Sequence, residues 1–79
     1  MPHVILPELG EGIEKATIAC WHYKVGDAVN RDDDIVELVT DKASFNVSAG
    51  EKGILQKILV PEGSEAKIGE VLAVIELKN

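Results

Sequence analysis

A chain of 79 residues has room for one domain with a modest core, so the whole length, 1–79, is expected to fold as a unit. Its formal net charge of −6 works against nucleic acid or an anionic membrane as partner, since both reward a basic surface, and favours a neutral or basic protein partner. With one Phe, one Tyr and one Trp in a sequence that is 46 % apolar, Val, Ile, Leu and Ala have to fill the interior.

The first apolar run, HVIL at 3–6, reads as a strand, and PELGEGIE at 7–14 follows as a loop broken by Pro and Gly. ATIACWHY at 16–23 is the second strand and runs into the turn KVGD. Within it Cys20 stands alone, which excludes an internal disulfide and reads as a small buried thiol in a reducing compartment, cytoplasmic or a mitochondrial matrix. DIVELVT at 34–40 and ASFNVS at 43–48 are the next strands, and Asp41 and Lys42 interrupt what would otherwise be one β-rich run. Two charged central residues suit a type I turn; the positive φ values of a type I′ turn would disfavour Lys. AGEKG, GILQKILV at 53–60, PEGSE, KIGE and VLAVIEL at 71–77 complete the alternation of strand and turn. No window keeps the i, i+3, i+4, i+7 apolar spacing for ten residues without a Gly or Pro, so the fold class is all-β. No apolar run approaches the ~18 residues of a membrane span, and the start lacks the layout of a signal peptide.

The two halves repeat. A shift of 37 positions lays 14–39 over 51–76, with Glu14 and Lys15 on Glu51 and Lys52, Gly26 on Gly63, Asp33 on Glu70, Ile35 on Leu72 and Leu38 on Ile75. Each half reads as strand, tight Gly turn, short strand, second turn, strand. Neither half alone could cover its apolar face, so a pseudo-twofold sandwich of two small antiparallel sheets follows. Under the same shift Asp41 and Lys42 fall on Lys78 and Asn79, which places the turn and the end of the chain at opposite ends of the domain.

The sequence VTDKAS, preceded by KVGDAVNRDDDIVEL and LPELGEGIEKATI, resembles the lipoyl domain of the acyltransferase (E2) component of 2-oxo acid dehydrogenase complexes, over Val4 to Leu77. The resemblance implies a flattened barrel of two four-stranded sheets with lipoic acid in amide linkage to the lysine at a hairpin apex, Lys42 here. It also implies that Asp41 and Ala43 flank the modified residue and that Gly26 and Asp27 make the first-half turn. The loop containing Glu8, Leu9, Gly10, Glu11, Gly12 and Glu14 would help the thiamine-diphosphate-dependent dehydrogenase (E1) recognise its carrier. The further partners implied are the E2 catalytic core, dihydrolipoamide dehydrogenase (E3), and a lipoate ligase or lipoyl/octanoyl transferase. The domain itself would be a carrier and not an enzyme. A biotinyl carrier domain is the near alternative, but it has Met on both sides of its lysine, where Asp41 and Ala43 stand here. An unmodified barrel-sandwich assembly module is the other, and it sits beside long helical hairpins absent from this sequence.

No further chemistry is evident. His3 and His22 have no Ser or Cys partner motif and no metal-ligand spacing in sequence, so both read as strand or surface residues and no metal is expected. Asp32, Asp33 and Asp34 lack the alternating ligands, central Gly and distal Glu of a calcium loop. Gly10-Glu11-Gly12 has neither the spacing nor the following helix of a phosphate loop.

Overall fold

The computed structural model describes residues 2–77, in which eight strands follow one another: β1 (His3–Ile5), β2 (Lys15–Trp21), β3 (Ala28–Val29), β4 (Asp34–Val39), β5 (Ser44–Ser48), β6 (Gly53–Ile58), β7 (Glu65–Lys67) and β8 (Val71–Leu77). They form two four-stranded sheets, ordered β1-β8-β6-β3 and β5-β4-β2-β7, and every pairing is antiparallel. The body is elongated, 39 × 20 × 17 Å. This is the expected all-β flattened sandwich. The two short strands, β3 and β7, are the least visible in sequence, since two or three residues are too few to show a pattern. Each crosses to the sheet dominated by the other half, which interlocks the repeats.

The repeat survives at the level of single hydrogen bonds. The Gly26 N–H donates to the Leu55 carbonyl at 2.7 Å, and its counterpart Gly63 donates to Ile18 at 2.8 Å. His22 donates to Ile35 at 2.8 Å and Leu59 to Leu72 at 2.9 Å, again 37 apart at both ends. Gly26 and Gly63 hold φ of 99° and 88°, a region closed to most L residues, so glycine is needed at both corners. Asp27 accepts the Lys24 N–H at 2.8 Å to close the first corner. In the second corner Pro61 takes the place of Lys24, has no N–H, and needs no such acceptor. The expected opposition of the Asp41-Lys42 turn to Lys78 and Asn79 lies outside the described residues.

The core is wholly aliphatic, as the composition requires: Leu6, Ile18, Ile35, Val36, Leu38, Leu55, Leu72 and Ile75 are its largest fully buried side chains. Trp21, Tyr23 and Phe45 only flank it. Cys20 corrects the expectation of a buried thiol. A bulge shifts the β2–β4 register between Ile18 and Cys20, so Cys20 pairs with Glu37 and is half-buried, while Ile18 remains in the core. The same bulge recurs in the other sheet between Leu55 and Lys57, 37 residues on.

Candidate functional site

β4 and β5 pair from Asp34–Ser48 down to Val39–Ser44, and Thr40, Asp41, Lys42 and Ala43 form the tip that joins them. Neither Asp41 nor Lys42 has a positive φ, which excludes a type I′ turn, as expected from the lysine. A turn of this hand does not match the twist of a hairpin, so the tip needs a local closure. Thr40 supplies it. Its N–H donates to the Ala43 carbonyl at 2.8 Å, and its hydroxyl donates to the same oxygen at 3.0 Å. The hydroxyl oxygen also accepts the Lys42 N–H at 3.2 Å and the Ala43 N–H at 3.1 Å. One donor and two acceptor positions exhaust what a hydroxyl offers. Thr40 was not among the site residues expected from sequence, although a Thr just before a two-residue tip is a known hydroxyl-closed turn.

Asp41, Lys42 and Ala43 are all exposed. Among the described residues the one ion pair is Lys15–Glu65, 3.6 Å, so no carboxylate holds the Lys42 ammonium. The loop 7–14 comes to the same place: a Cβ built on Gly12 would lie 3.4 Å from Lys42 Nζ. Gly10, Glu11, Gly12 and Glu14 are exposed, and Glu8 with them, while Leu9 is half-buried against the core and fixes the loop. An open groove of about 550 Å³ runs between loop and hairpin, lined by Gly12, Ile13, Thr17, Val39, Thr40 and Asp41 among others. Thus the structure joins the expected lysine and the expected recognition loop in one surface. Gly26, Asp27 and Gly63 lie in the corners of the scaffold and take no part in this surface.

An exposed amine thus stands at the tip of a hairpin raised on a pseudo-symmetric sandwich of two four-stranded sheets. A family model covering biotin and lipoyl domains, described as "Biotin-requiring enzyme", matches residues 2–75. The chain belongs to this biotin/lipoyl family, as one of its lipoyl domains. The solution structure of the lipoyl domain of the 2-oxoglutarate dehydrogenase complex from Azotobacter vinelandii superposes with a TM-score of 0.80 at 34% identity, each chain covered in full (100%). The lipoyl domain of the dihydrolipoyl succinyltransferase of Escherichia coli gives 0.74 at 36% identity, covering 98% of this chain and 96% of that one. The dihydrolipoyllysine-residue succinyltransferase component of the 2-oxoglutarate dehydrogenase complex of Staphylococcus saprophyticus is 45% identical over 75 residues, 95% of this chain. The chain spans only 18% of that relative's length.

Proposed function

We propose that Lys42 carries lipoic acid in amide linkage and that the domain is the acyl carrier of a dihydrolipoyl succinyltransferase (E2) in a 2-oxoglutarate dehydrogenase complex. The observation that carries this reading is the exposed, unpaired Lys42 at a hairpin tip closed by Thr40. The likeness to succinyltransferase components supports 2-oxoglutarate over other 2-oxo acids. The residues fit the group: a primary amine free of carboxylate partners can be acylated, and the amide formed has open solvent around it.

When bound, lipoic acid would supply a dithiolane able to accept an acyl group on one sulfur together with the two electrons that the thiamine-bound donor on E1 gives up. The chain contributes position. A tip closed by Thr40 and joining two paired strands of a four-stranded sheet is a firm base, so ordering the arm in each partner costs little beyond the arm itself. Tethering would replace diffusion with an effective concentration of roughly millimolar, so that the Lys42 tip presents its arm in turn to the thiamine-dependent E1, the E2 core that acylates coenzyme A, and the flavin-dependent E3. The exposed Glu8, Glu11 and Glu14 of the adjoining loop are the contacts by which E1 tells this domain from free lipoamide.

Intact mass after incubation with lipoate, ATP and a lipoate ligase tests the assignment. One lipoyl group is expected on the wild type and none on Lys42→Arg. Modification of Lys42→Arg, or biotin in place of lipoate on the wild type under a biotin ligase, overturns it.

A further inference from the structure

We propose that Cys20, His22 and Glu37 bind one zinc-class divalent cation on the outward face of the β5-β4-β2-β7 sheet, set back along β4 from the Lys42 tip. Cys20 is on β2, His22 follows that strand, and Glu37 is the β4 residue paired with Cys20. The bulge after Ile18 sets Cys20 opposite Glu37, and His22, in the bend that follows β2, still donates its N–H to the Ile35 carbonyl at 2.8 Å and so stays beside β4. The Cys20 Sγ lies 3.8 Å from His22 Nδ1 and 3.8 Å from Glu37 Oε1, and one ligand atom from each residue falls within 4.8 Å of the others. A tetrahedral ion with bonds of ~2.0–2.3 Å to N, O and S has ligand–ligand edges of about 3.5 Å, so the two sulfur edges contract by a few tenths of an ångström and the His22–Glu37 edge, at most 4.8 Å, by up to about 1.4 Å through side-chain rotation.

A second, independent contact orients the imidazole. His22 Nε2 is 3.4 Å from Asn46 Oδ1, on the β5 residue paired with Glu37. An Nε2–H donating to that oxygen leaves the Nδ1 lone pair aimed at Cys20 and Glu37, which is the arrangement metal-binding histidines take from their outer partners. The Cys20 thiol points its hydrogen at Glu37 Oε1, 3.8 Å away, so proton and cation would occupy the same place between sulfur and carboxylate. A cation takes the place of that proton: the S–H bond breaks, the proton goes to solvent, and bonds from the ion to Sγ, Nδ1 and Oε1 form with no change of oxidation state. Three protein ligands leave the fourth position for water or a small donor.

The test is titration of the 79-residue chain with Co²⁺ under a non-thiol reductant, followed by competition with Zn²⁺. One equivalent should bring a thiolate-to-cobalt charge-transfer band and the intense visible bands of tetrahedral cobalt, with the chain still monomeric by gel filtration and both bands erased by Zn²⁺. Cys20→Ser should abolish the charge-transfer band, His22→Ala and Glu37→Gln should each weaken binding at least tenfold, and Asn46→Leu should cost roughly 10- to 100-fold. Circular dichroism confirms that each variant is folded; all four positions are at least partly exposed and outside the core. Absence of the charge-transfer band in the wild type, a band unchanged by His22→Ala, or an ion shared between two chains overturns the site.

Discussion

Replacing Thr40 with Val keeps the β-branched shape and removes the hydroxyl that closes the hairpin. In the wild type that oxygen makes three hydrogen bonds of 3.0, 3.1 and 3.2 Å, all within the four residues of the tip. The loss is not three times one bond. The Ala43 carbonyl keeps the Thr40 N–H at 2.8 Å, and the freed N–H groups of Lys42 and Ala43 belong to exposed residues that water can reach. The change is therefore comparable to loss of one hydroxyl cap, about 1 kcal/mol within a usual range of ~0.5–2. Urea unfolding followed through the single Trp, Trp21, should show that decrease. If the tip must be re-ordered in the transition state of modification, the same free energy slows lipoylation about fivefold in kcat/KM. Thr40→Ser retains the hydroxyl and should stay within about twofold of the wild type on the same scale. A Thr40→Val domain that loses the stability yet is lipoylated at the wild-type rate refutes the claim that a rigid tip presents the lysine.

Moving the lysine by one position, with Asp41→Lys and Lys42→Ala together, should leave the circular dichroism spectrum native and slow single-turnover lipoylation at least tenfold, equivalent to about 1.4 kcal/mol, because neighbouring residues at the tip point in different directions. Substitution of Glu8, Glu11 and Glu14 by Ala should weaken reductive succinylation by E1 while lipoylation proceeds unchanged; equal loss of both would indicate misfolding and not recognition. A Cβ at Gly53 would overlap the Glu76 carbonyl of β8, so Gly53→Ala must push two paired strands apart and should lower unfolding free energy by about 1–3 kcal/mol in urea; an unchanged midpoint would contradict the close approach. Burial, with Asp33 and then Asp27 and Asp34, raises the Tyr23 phenol above its usual 10.0, so the folded chain holds that proton longer than the unfolded one. The corresponding stability is complete below pH 10 and is lost as pH rises through the folded value. Phenolate absorbance of this single tyrosine should show a midpoint above 10, and one at or below it would contradict the environment described.

What could be read from the sequence is what repeats or what interrupts a pattern. The 37-residue shift revealed the two-sheet architecture because Gly26 and Gly63, or Leu38 and Ile75, answer the same steric demand twice. Lys42 stood out because it breaks an apolar run at a place where the pattern should continue. The end of the second run is less legible: its composition predicts a strand to Tyr23, whereas β2 stops at Trp21 and a bend follows at His22. Cys20 is a related case: a lone small thiol is expected as core filler, and the bulge, which depends on pairing with β4 and has no local signal, leaves it half-buried opposite Glu37. Glu37 and Asn46 join Cys20 and His22 through strand register, a long-range property that no local spacing carries.

Pseudo-symmetry separates scaffold from chemistry. Where the halves agree, the residues serve the fold: Asp33 and Glu70 each accept a turn N–H, from Asn30 at 2.9 Å and from Lys67 at 3.0 Å, and neither lies beside Lys42. Where the halves differ although the backbone repeats, folding alone does not explain the choice. Cys20, His22 and Glu37 map by the same shift onto Lys57, Leu59 and Val74, three residues that share the bulge and the pairing but include no metal-binding set. The second sheet shows that this backbone geometry is compatible with an ammonium and two aliphatic side chains. A thiol, an imidazole and a carboxylate at the corresponding places are therefore not a steric or hydrogen-bonding requirement of the bulge. The asymmetry also puts both chemical features on one sheet, since β4 carries Glu37 and leads three residues later into Thr40 and the Lys42 tip. At ~3.4 Å per residue, Glu37 lies about 10 Å along β4 from Thr40, so the triad is set back from the tip on the same sheet.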